Sequence, residues 1–170
     1  MATEVTVTLG TNGTLRDYTS FSAWTADRAR NLAAADEIEI VECYNDGIVY
    51  DNAVIQNWVC NPTHYVKIIA PAGQRHNGTI GSGFTVASAS GSHPLYIKGG
   101  ANTQYWWIEA IAILVPKYQD VCGIYCWVPD PNKNSRLVFL NCLFYATEEL
   151  ENRRNIGLGV NIYEINNGFY

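Results

Sequence analysis

The sequence predicts an all-β protein built as a stack of short strands. Two apolar runs, residues 105–115 and 136–144, are rich in β-branched and aromatic residues, and each has the length of a strand buried on both faces. Similar runs recur from residue 37 onwards, separated by Gly, Asn, Pro and Asp. Most of their centres are spaced by roughly 20–30 residues, an interval typical of stacked repeats. These centres are Ile38, Ile68, Ile97, Ile108, Phe139 and Val160. The spacing favours a parallel β-helix, and an antiparallel β-sandwich remains the alternative because it too has many short strands.

Residues 4–9 alternate between polar and apolar, which predicts a first, half-buried strand. A turn at Asn12-Gly13 follows, and residues 21–35 then favour a helix that begins after the capping oxygens of Thr19 and Ser20. We expect this helix to cover one end of the stack. The remaining strands are predicted at 37–44, 54–59, 64–70, 84–86, 95–98, 105–115, 122–128, 136–145 and 156–165.

We expect a single domain over residues 1–170, in which 1–36 form the first strand and capping helix and 37–170 form the stacked rungs. In the strand at 37–44, the inward positions are predicted to be Ile38, Ile40 and either Val41 or Cys43. Asn141 interrupts the apolar run at 136–144, and Asn at this position is typical of a corner of the coil.

Composition excludes several classes of protein. Hydrophobic residues make up 48% and charged residues 16% of the 170 residues, which argues against disorder. The net charge of -5 indicates no nucleic-acid partner, and the chain has no apolar run long enough for membrane insertion by a helix. The first residues lack the pattern of a secretory leader, so we expect synthesis in a cytoplasm or prior removal of a leader. The five cysteines favour buried thiols over disulfides.

Several stretches resemble a group of right-handed parallel β-helix proteins. They are DYTSFSAW at 17–24, AAADEIEIVECYND at 33–46, HYVKIIAP at 64–71, HNGT at 76–79 and YWWIEAI at 105–111. The group includes phage virion proteins, among them tailspike-like proteins, and uncharacterised surface proteins. The resemblance implies the same right-handed fold. Members usually continue for several further rungs, so it also implies a C-terminal end that a partner covers.

No residues form a recognisable catalytic constellation, and we predict no cofactor, no metal site and no enzymatic activity. If the protein were an enzyme, the resemblance implies a polysaccharide hydrolase or lyase, which needs paired carboxylates or a calcium site beside a basic residue. Asp46 and Asp51 lie near a turn with no basic residue close in sequence. Glu109 interrupts an apolar strand, and we interpret it as an outward-facing residue. His64, His76 and His93 share no motif and are interpreted as loop residues.

Aromatic residues are the strongest indication of function. Consecutive strand residues point to opposite sides, so Tyr105, Trp106 and Trp107 cannot all face one core. At least one ring is therefore expected on the outer surface, where it could bind another subunit or stack on a sugar. The predicted interface or glycan contacts are Trp58, Tyr105, Trp106, Trp107, Trp127, Phe169 and Tyr170.

These observations predict a structural or interaction protein that forms a homo-oligomer or a larger assembly. Together with the resemblance, they favour a phage virion component, such as a head decoration, fibre or tail part, made in the host cytoplasm. One alternative is a domain that binds or cleaves polysaccharide. Another is a filament or adhesion protein that is extracellular or on the cell surface.

Overall fold

The computed structural model describes the backbone of residues 1–79, 81–99, 104–115, 122–127, 135–146, 154–158 and 162–169, and side chains as far as residue 145. Thirteen strands and two helices lie in these ranges. The helices are α1 (Phe21–Arg28) and α2 (Leu32–Ala35). The strands are β1 (Thr3–Leu9), β2 (Glu37–Cys43), β3 (Val49–Asp51), β4 (Ala53–Ile55), β5 (Val66–Ile69), β6 (Thr85–Ser88), β7 (Leu95–Lys98), β8 (Tyr105–Glu109), β9 (Ala112–Val115), β10 (Cys122–Trp127), β11 (Arg136–Ala146), β12 (Arg154–Leu158) and β13 (Ile162–Phe169).

The strands wind into a parallel β-helix of about four turns. Three faces run along it, and we call them the first, second and third face. The first face is β1-β2-β5-β8-β11, with β13 paired to β11, and the second is β3-β6-β9-β11. The third face is β4-β7-β10-β12. All strand pairs in the described part of the chain are parallel, so the predicted β-helix is confirmed and the antiparallel sandwich is excluded.

We call each turn of the β-helix a coil. Inward side chains of successive coils stack in columns. One column on the first face places Val41 beside Val7, then Ile68, Ile108 and Phe139 in register. Each step is one inter-strand spacing, about 4.8 Å, so the apolar groups are in direct contact along the axis. The predicted centres Ile68, Ile108 and Phe139 therefore lie in one column, while Ile97 belongs to β7 on the third face. Val160 lies outside the described residues.

The register of β2 differs from the prediction by one residue. Glu39, Val41 and Cys43 are buried and face inward, whereas Ile38 and Ile40 are partly exposed on the outer side. The prediction placed Ile38 and Ile40 inside and was wrong because a one-residue shift exchanges the two faces of a strand. The inward position of Glu39 is made possible by cationic partners on the helical segment, described below.

The predicted helix at 21–35 is two helices. Residues Ala29 to Asn31 leave the helical conformation because they pair with the chain near Val59. The Val59 N–H donates to the Arg30 carbonyl, and the Val59 carbonyl accepts from the Leu32 N–H. The side chains of Ser20 and Asn31 cap α1 and α2, respectively. Asp36, with φ 57°, ends α2 in the left-handed conformation, so the predicted end of the helical segment is confirmed.

The helical segment covers the N-terminal end of the coil, as expected for a cap. Phe21 and Trp24 on α1 are buried, with Phe21 edge-on to Phe84 at 6.1 Å and Trp24 stacked on Trp58 at 5.1 Å. The Asp51 carboxylate at the end of β3 accepts hydrogen bonds from the backbone N–H and hydroxyl of Ser22, at 2.8 and 2.6 Å. A negative charge at this end of α1 also suits the helix dipole.

The buried Glu39 carboxylate joins the cap to the core. It accepts hydrogen bonds from Trp24 Nε1 at 3.1 Å, from Arg28 Nε and Nη2 at 3.0 and 2.9 Å, and from Arg30 Nη2 at 2.9 Å. Its side chain is 0% exposed, so these donors replace all of its water. Arg28 and Arg30 thereby fix the helical segment to the strand that follows it.

Backbone corners and cysteines agree with the sequence. Asn141 sits at φ 50° in the corner between the two halves of β11, next to Ala110 at φ 60° in the coil before it, so its predicted corner position is confirmed. All five cysteines are free and buried, as expected. Burial raises the pKa of the Cys43, Cys60, Cys126 and Cys142 thiols, to about 12 for Cys60 and Cys142.

Candidate interaction surface

A shallow groove on the outer side of the first face has the geometry of a contact site. Its volume is about 170 Å³. Its walls come from β8, the start of β11 and the segment that precedes β5, and they are mostly aromatic. The lining residues are Pro62, Tyr65, Tyr105, Trp106, Trp107, Arg136 and Val138.

Strand alternation in β8 builds this groove. Trp106 and Ile108 face the core, while Tyr105, Trp107 and Glu109 face outward and are partly exposed. Parallel register places Trp107 between Lys67 on β5 and Val138 on β11. The indole is thereby held between neighbours from the coils before and after it, and its position is fixed by the ladder.

Charged groups surround the Trp107 ring. The Lys67 ammonium lies 5.5 Å from the ring centroid, within range of a cation–π interaction. Glu109 accepts a hydrogen bond from Trp107 Nε1 at 3.1 Å and pairs with Lys67 at 3.5 Å and with Arg75 at 3.1 Å. The described partners of Glu109 are thus two cations and an indole. Its expected outward orientation is confirmed, with its side chain 15% exposed.

The expected contact residues divide into outer and core positions. Tyr105 and Trp107 lie in the groove, and Trp127 is 46% exposed on the third face. Trp58 and Trp106 are only 1% and 2% exposed and belong to the core, although Trp106 also borders the groove. The backbone of Phe169 lies in β13, but its side chain and all of Tyr170 fall outside the described residues.

Trp58 and Trp106 are core residues because they bind the capping helix. Trp58 stacks on Trp24 and meets Trp106 edge-on at 6.1 Å, and its Nε1 donates to Thr25 Oγ1 at 3.1 Å. Trp106 Nε1 donates to Gln104 Oε1 at 2.9 Å. Both indole N–H groups are therefore satisfied inside the protein, which removes the usual reason for a Trp to stay at the surface.

The third face carries an aromatic ladder that was absent from the expected contacts. Tyr96 on β7 and Tyr125 on β10 are in register, with ring centroids 5.1 Å apart. The His93 ring stacks on Tyr125 at 4.8 Å. The alternation of Leu95-Tyr96-Ile97 was a usable signal, since it leaves Tyr96 outward when its two apolar neighbours face the core.

The other polar candidates have structural roles. Asp46 pairs at 2.7 Å with Arg16, which is distant in sequence and was therefore missed by the prediction. Asp51 binds the start of α1. His64 pairs with Asp36 at 2.9 Å, and His93 Nδ1 accepts from the Cys122 N–H at 2.9 Å. Among the residues that the structure describes, no three His, Cys, Asp or Glu side chains form a group that could hold a metal ion.

Comparisons with known proteins give no family for this chain. No family model, no curated protein and no solved structure matches it. Within the described residues, no helix is long and apolar enough to cross a membrane. The chemistry of the groove is therefore the main basis for a functional proposal.

Proposed function

We propose that this chain is a structural protein that assembles with copies of itself, and that the groove on the first face is its contact site. The single observation that carries the proposal is the aromatic groove of Tyr105 and Trp107 with cations at its edge. Aromatic and arginine side chains are enriched where protein interfaces are most stable. A phage virion component, such as a head decoration, fibre or tail part, is the specific version that the sequence resemblance supports.

Charge complementarity supports a second copy as the occupant. Lys67, Arg75 and Arg136 line or flank the groove in a protein of net charge -5. The first coil is acidic at its surface, because Arg28 and Arg30 turn inward to Glu39 and Glu37. Its exposed carboxylates are Glu4, Asp17, Asp27 and Asp36. The acidic end of one copy therefore complements the basic groove of the next, and such a head-to-tail contact can be repeated from copy to copy.

Light scattering behind a sizing column tests this assembly. We expect a mass above that of the monomer at low salt, falling as salt screens the contact. Arg136→Glu should give a monomer, and adding Asp27→Arg should restore assembly. Lys98→Glu, the same charge change on the third face, serves as the matched control. A monomer at every salt concentration, or loss of assembly with the control alone, would contradict the proposal.

Polysaccharide binding is a second candidate. It is favoured by the polar groups around Trp107, since an indole flanked by Lys67, Arg75 and Glu109 provides both a stacking surface and hydrogen-bonding groups for hydroxyls. Binding to a panel of glycans, lost in Trp107→Ala and retained in Trp127→Ala, would support it. Release of reducing ends that Glu109→Gln abolishes would add cleavage. An extracellular filament or adhesion protein is a variant of the first proposal that the same assembly experiment covers.

A further inference from the structure

The loop between β5 and β6 presents an Asn-Gly pair at the surface. Asn77 and Gly78 are both exposed, and Gly78 has φ 87°. With no Cβ on Gly78, its backbone nitrogen is open to the carboxamide of the preceding Asn. Attack of that nitrogen on Asn77 Cγ would close a five-membered succinimide ring, a reaction that needs a base and a stabilised oxyanion.

His76 is placed to act as the base. Its Nε2 donates a hydrogen bond to the carbonyl of Asn141, which has no proton to give, and this contact fixes Nε2 as the protonated nitrogen. The other nitrogen, Nδ1, then accepts the backbone N–H of Gly78 at 3.3 Å. A nucleophile next to a base that a third group orients is the arrangement of covalent catalysis.

The Asn77 carboxamide oxygen is bound by hydrogen-bond donors. Oδ1 accepts from the Thr79 N–H at 3.0 Å, and the Ser82 hydroxyl lies 2.7 Å away. The Ser82 oxygen also lies 2.6 Å from the Thr79 carbonyl and accepts the Asn77 N–H at 3.1 Å. Donors around a carbonyl stabilise the negative charge that develops on its oxygen during attack.

Close packing holds this loop in place. A Cβ at Gly83, which has φ 72°, would lie 2.1 Å from the backbone nitrogen of His76, so these two backbone segments are in direct contact. The His76 contact with Asn141 joins the same loop to the corner of β11. The base, the nucleophile and the oxyanion donors therefore sit on a segment fixed at both sides.

We propose that Asn77-Gly78 is a self-modification site at which His76 catalyses conversion of the Asn77 amide to a carboxylate. Gly78 N forms a bond to Asn77 Cγ as its proton passes to His76 Nδ1. The C–N bond to the side-chain amide nitrogen then breaks, and that nitrogen takes the proton from His76 and leaves as ammonia. Water opens the succinimide to aspartate or isoaspartate, which makes the net charge one unit more negative. This inference is independent of the proposed assembly.

The chain contains its own control at Asn12-Gly13. Asn12 Oδ1 also accepts from a threonine two residues on, from Thr14 N at 3.2 Å and Thr14 Oγ1 at 2.8 Å. The described contacts of the three imidazoles lie at other sites. Asn12-Gly13 thus shares with Asn77-Gly78 a bond from the N–H of the threonine two residues on. It differs in having no described imidazole contact and in a glycine φ that is not positive.

Peptide mapping by mass spectrometry, with aspartate and isoaspartate resolved, tests the proposal on the folded full-length chain. We expect conversion at residue 77 to be at least about tenfold faster than at residue 12, since a positioned base supplies roughly 10²–10⁴-fold. His76→Gln should reduce the rate at residue 77 to that at residue 12. A purely structural role for His76 predicts the opposite sign, because loosening the loop would speed conversion.

Two further comparisons keep the result decisive. Equal rates at residues 77 and 12 in the unmodified chain would overturn the proposal without any variant. Ser82→Ala, which keeps His76, should slow conversion at residue 77 and leave residue 12 unchanged. An unchanged or faster rate at residue 77 in either His76→Gln or Ser82→Ala, with the thermal transition preserved, would also overturn it.

Discussion

Replacing Glu39 by Gln tests whether a charge inside the coil holds the capping segment in place. Gln keeps the size of the side chain but removes the charge and turns an acceptor into a donor facing Arg28 and Arg30. Removing one partner of a buried ion pair costs about 3–5 kcal/mol. Because the two arginine side chains are 25% and 27% exposed, water compensates part of the loss. We therefore expect the free energy of unfolding to fall by about 2–3 kcal/mol, just below that range.

Urea denaturation followed by circular dichroism and by tryptophan fluorescence measures this change. Trp24 donates to Glu39 and stacks on Trp58, so the fluorescence also reports on the cap. Glu42→Gln is the matched control: it lies on the same strand, is partly exposed, and accepts a hydrogen bond from Tyr44 at 2.9 Å. A surface change of this kind costs below about 0.5 kcal/mol.

The opposite result would refute the register of β2. If Ile38 and Ile40 faced the core, Glu39→Gln would be a surface change with a loss below about 0.5 kcal/mol, and Ile40→Ala would cost about 2–5 kcal/mol. With the register described above, Ile40→Ala should cost much less than Val41→Ala, since Val41 is fully buried. The order of these two losses decides between the registers.

Two other consequences of the packing are open to direct measurement. Gly83→Ala should lower the free energy of unfolding by at least about 3 kcal/mol, because the new Cβ adds strain at positive φ and clashes with the His76 backbone. Gly73→Ala, at φ 85° with open space around it, should cost only about 1 kcal/mol. Similar losses for the two variants would contradict the packing at Gly83. A thiol reagent at pH 8 should leave Cys60 and Cys142 of the folded protein unlabelled, because burial raises the pKa of each to about 12 and disfavours the reactive thiolate. Unfolding in urea should label both, and rapid labelling of the native protein would show that these sites are open to solvent.

Sequence patterning predicted the fold because the core columns are built from the commonest strand residues. Ile68, Ile108 and Phe139 are apolar residues inside apolar strands, and their spacing shows one coil following another. Asn141 was also predictable, since few residues other than Gly and Asn adopt a left-handed corner. These are local preferences that agree with the final structure.

The errors come from residues whose partners are distant in sequence or of an unexpected type. Glu39 reads as a solvent-facing residue until Arg28 and Arg30 are brought beside it by the cap. Trp58 was predicted at an outer contact surface because its stacking partner, Trp24, lies on a helix in another coil. Periodicity gives the two faces of a strand but not which face is inside, and here long-range contacts make that choice.

The groove could be anticipated only in part. Three consecutive aromatics, Tyr105 to Trp107, required an outer ring, and the structure places Tyr105 and Trp107 outside. The cations beside Trp107 could not be predicted from the sequence. Lys67 reaches it by strand register, and Arg75 approaches through Glu109 from the loop after β5.

The stacked columns separate the length of the chain from the length of the protein. Each coil advances the structure along its axis by one strand spacing, about 4.8 Å, however many residues its loops contain. Residues 71–79 and 81–83, between β5 and β6, form a long excursion, yet Ile68 and Ile108 still meet at the ordinary spacing. The number of coils therefore sets the length of the molecule along its axis. Loops can lengthen, or acquire chemistry of their own, without moving the outer faces by which neighbouring molecules would be aligned.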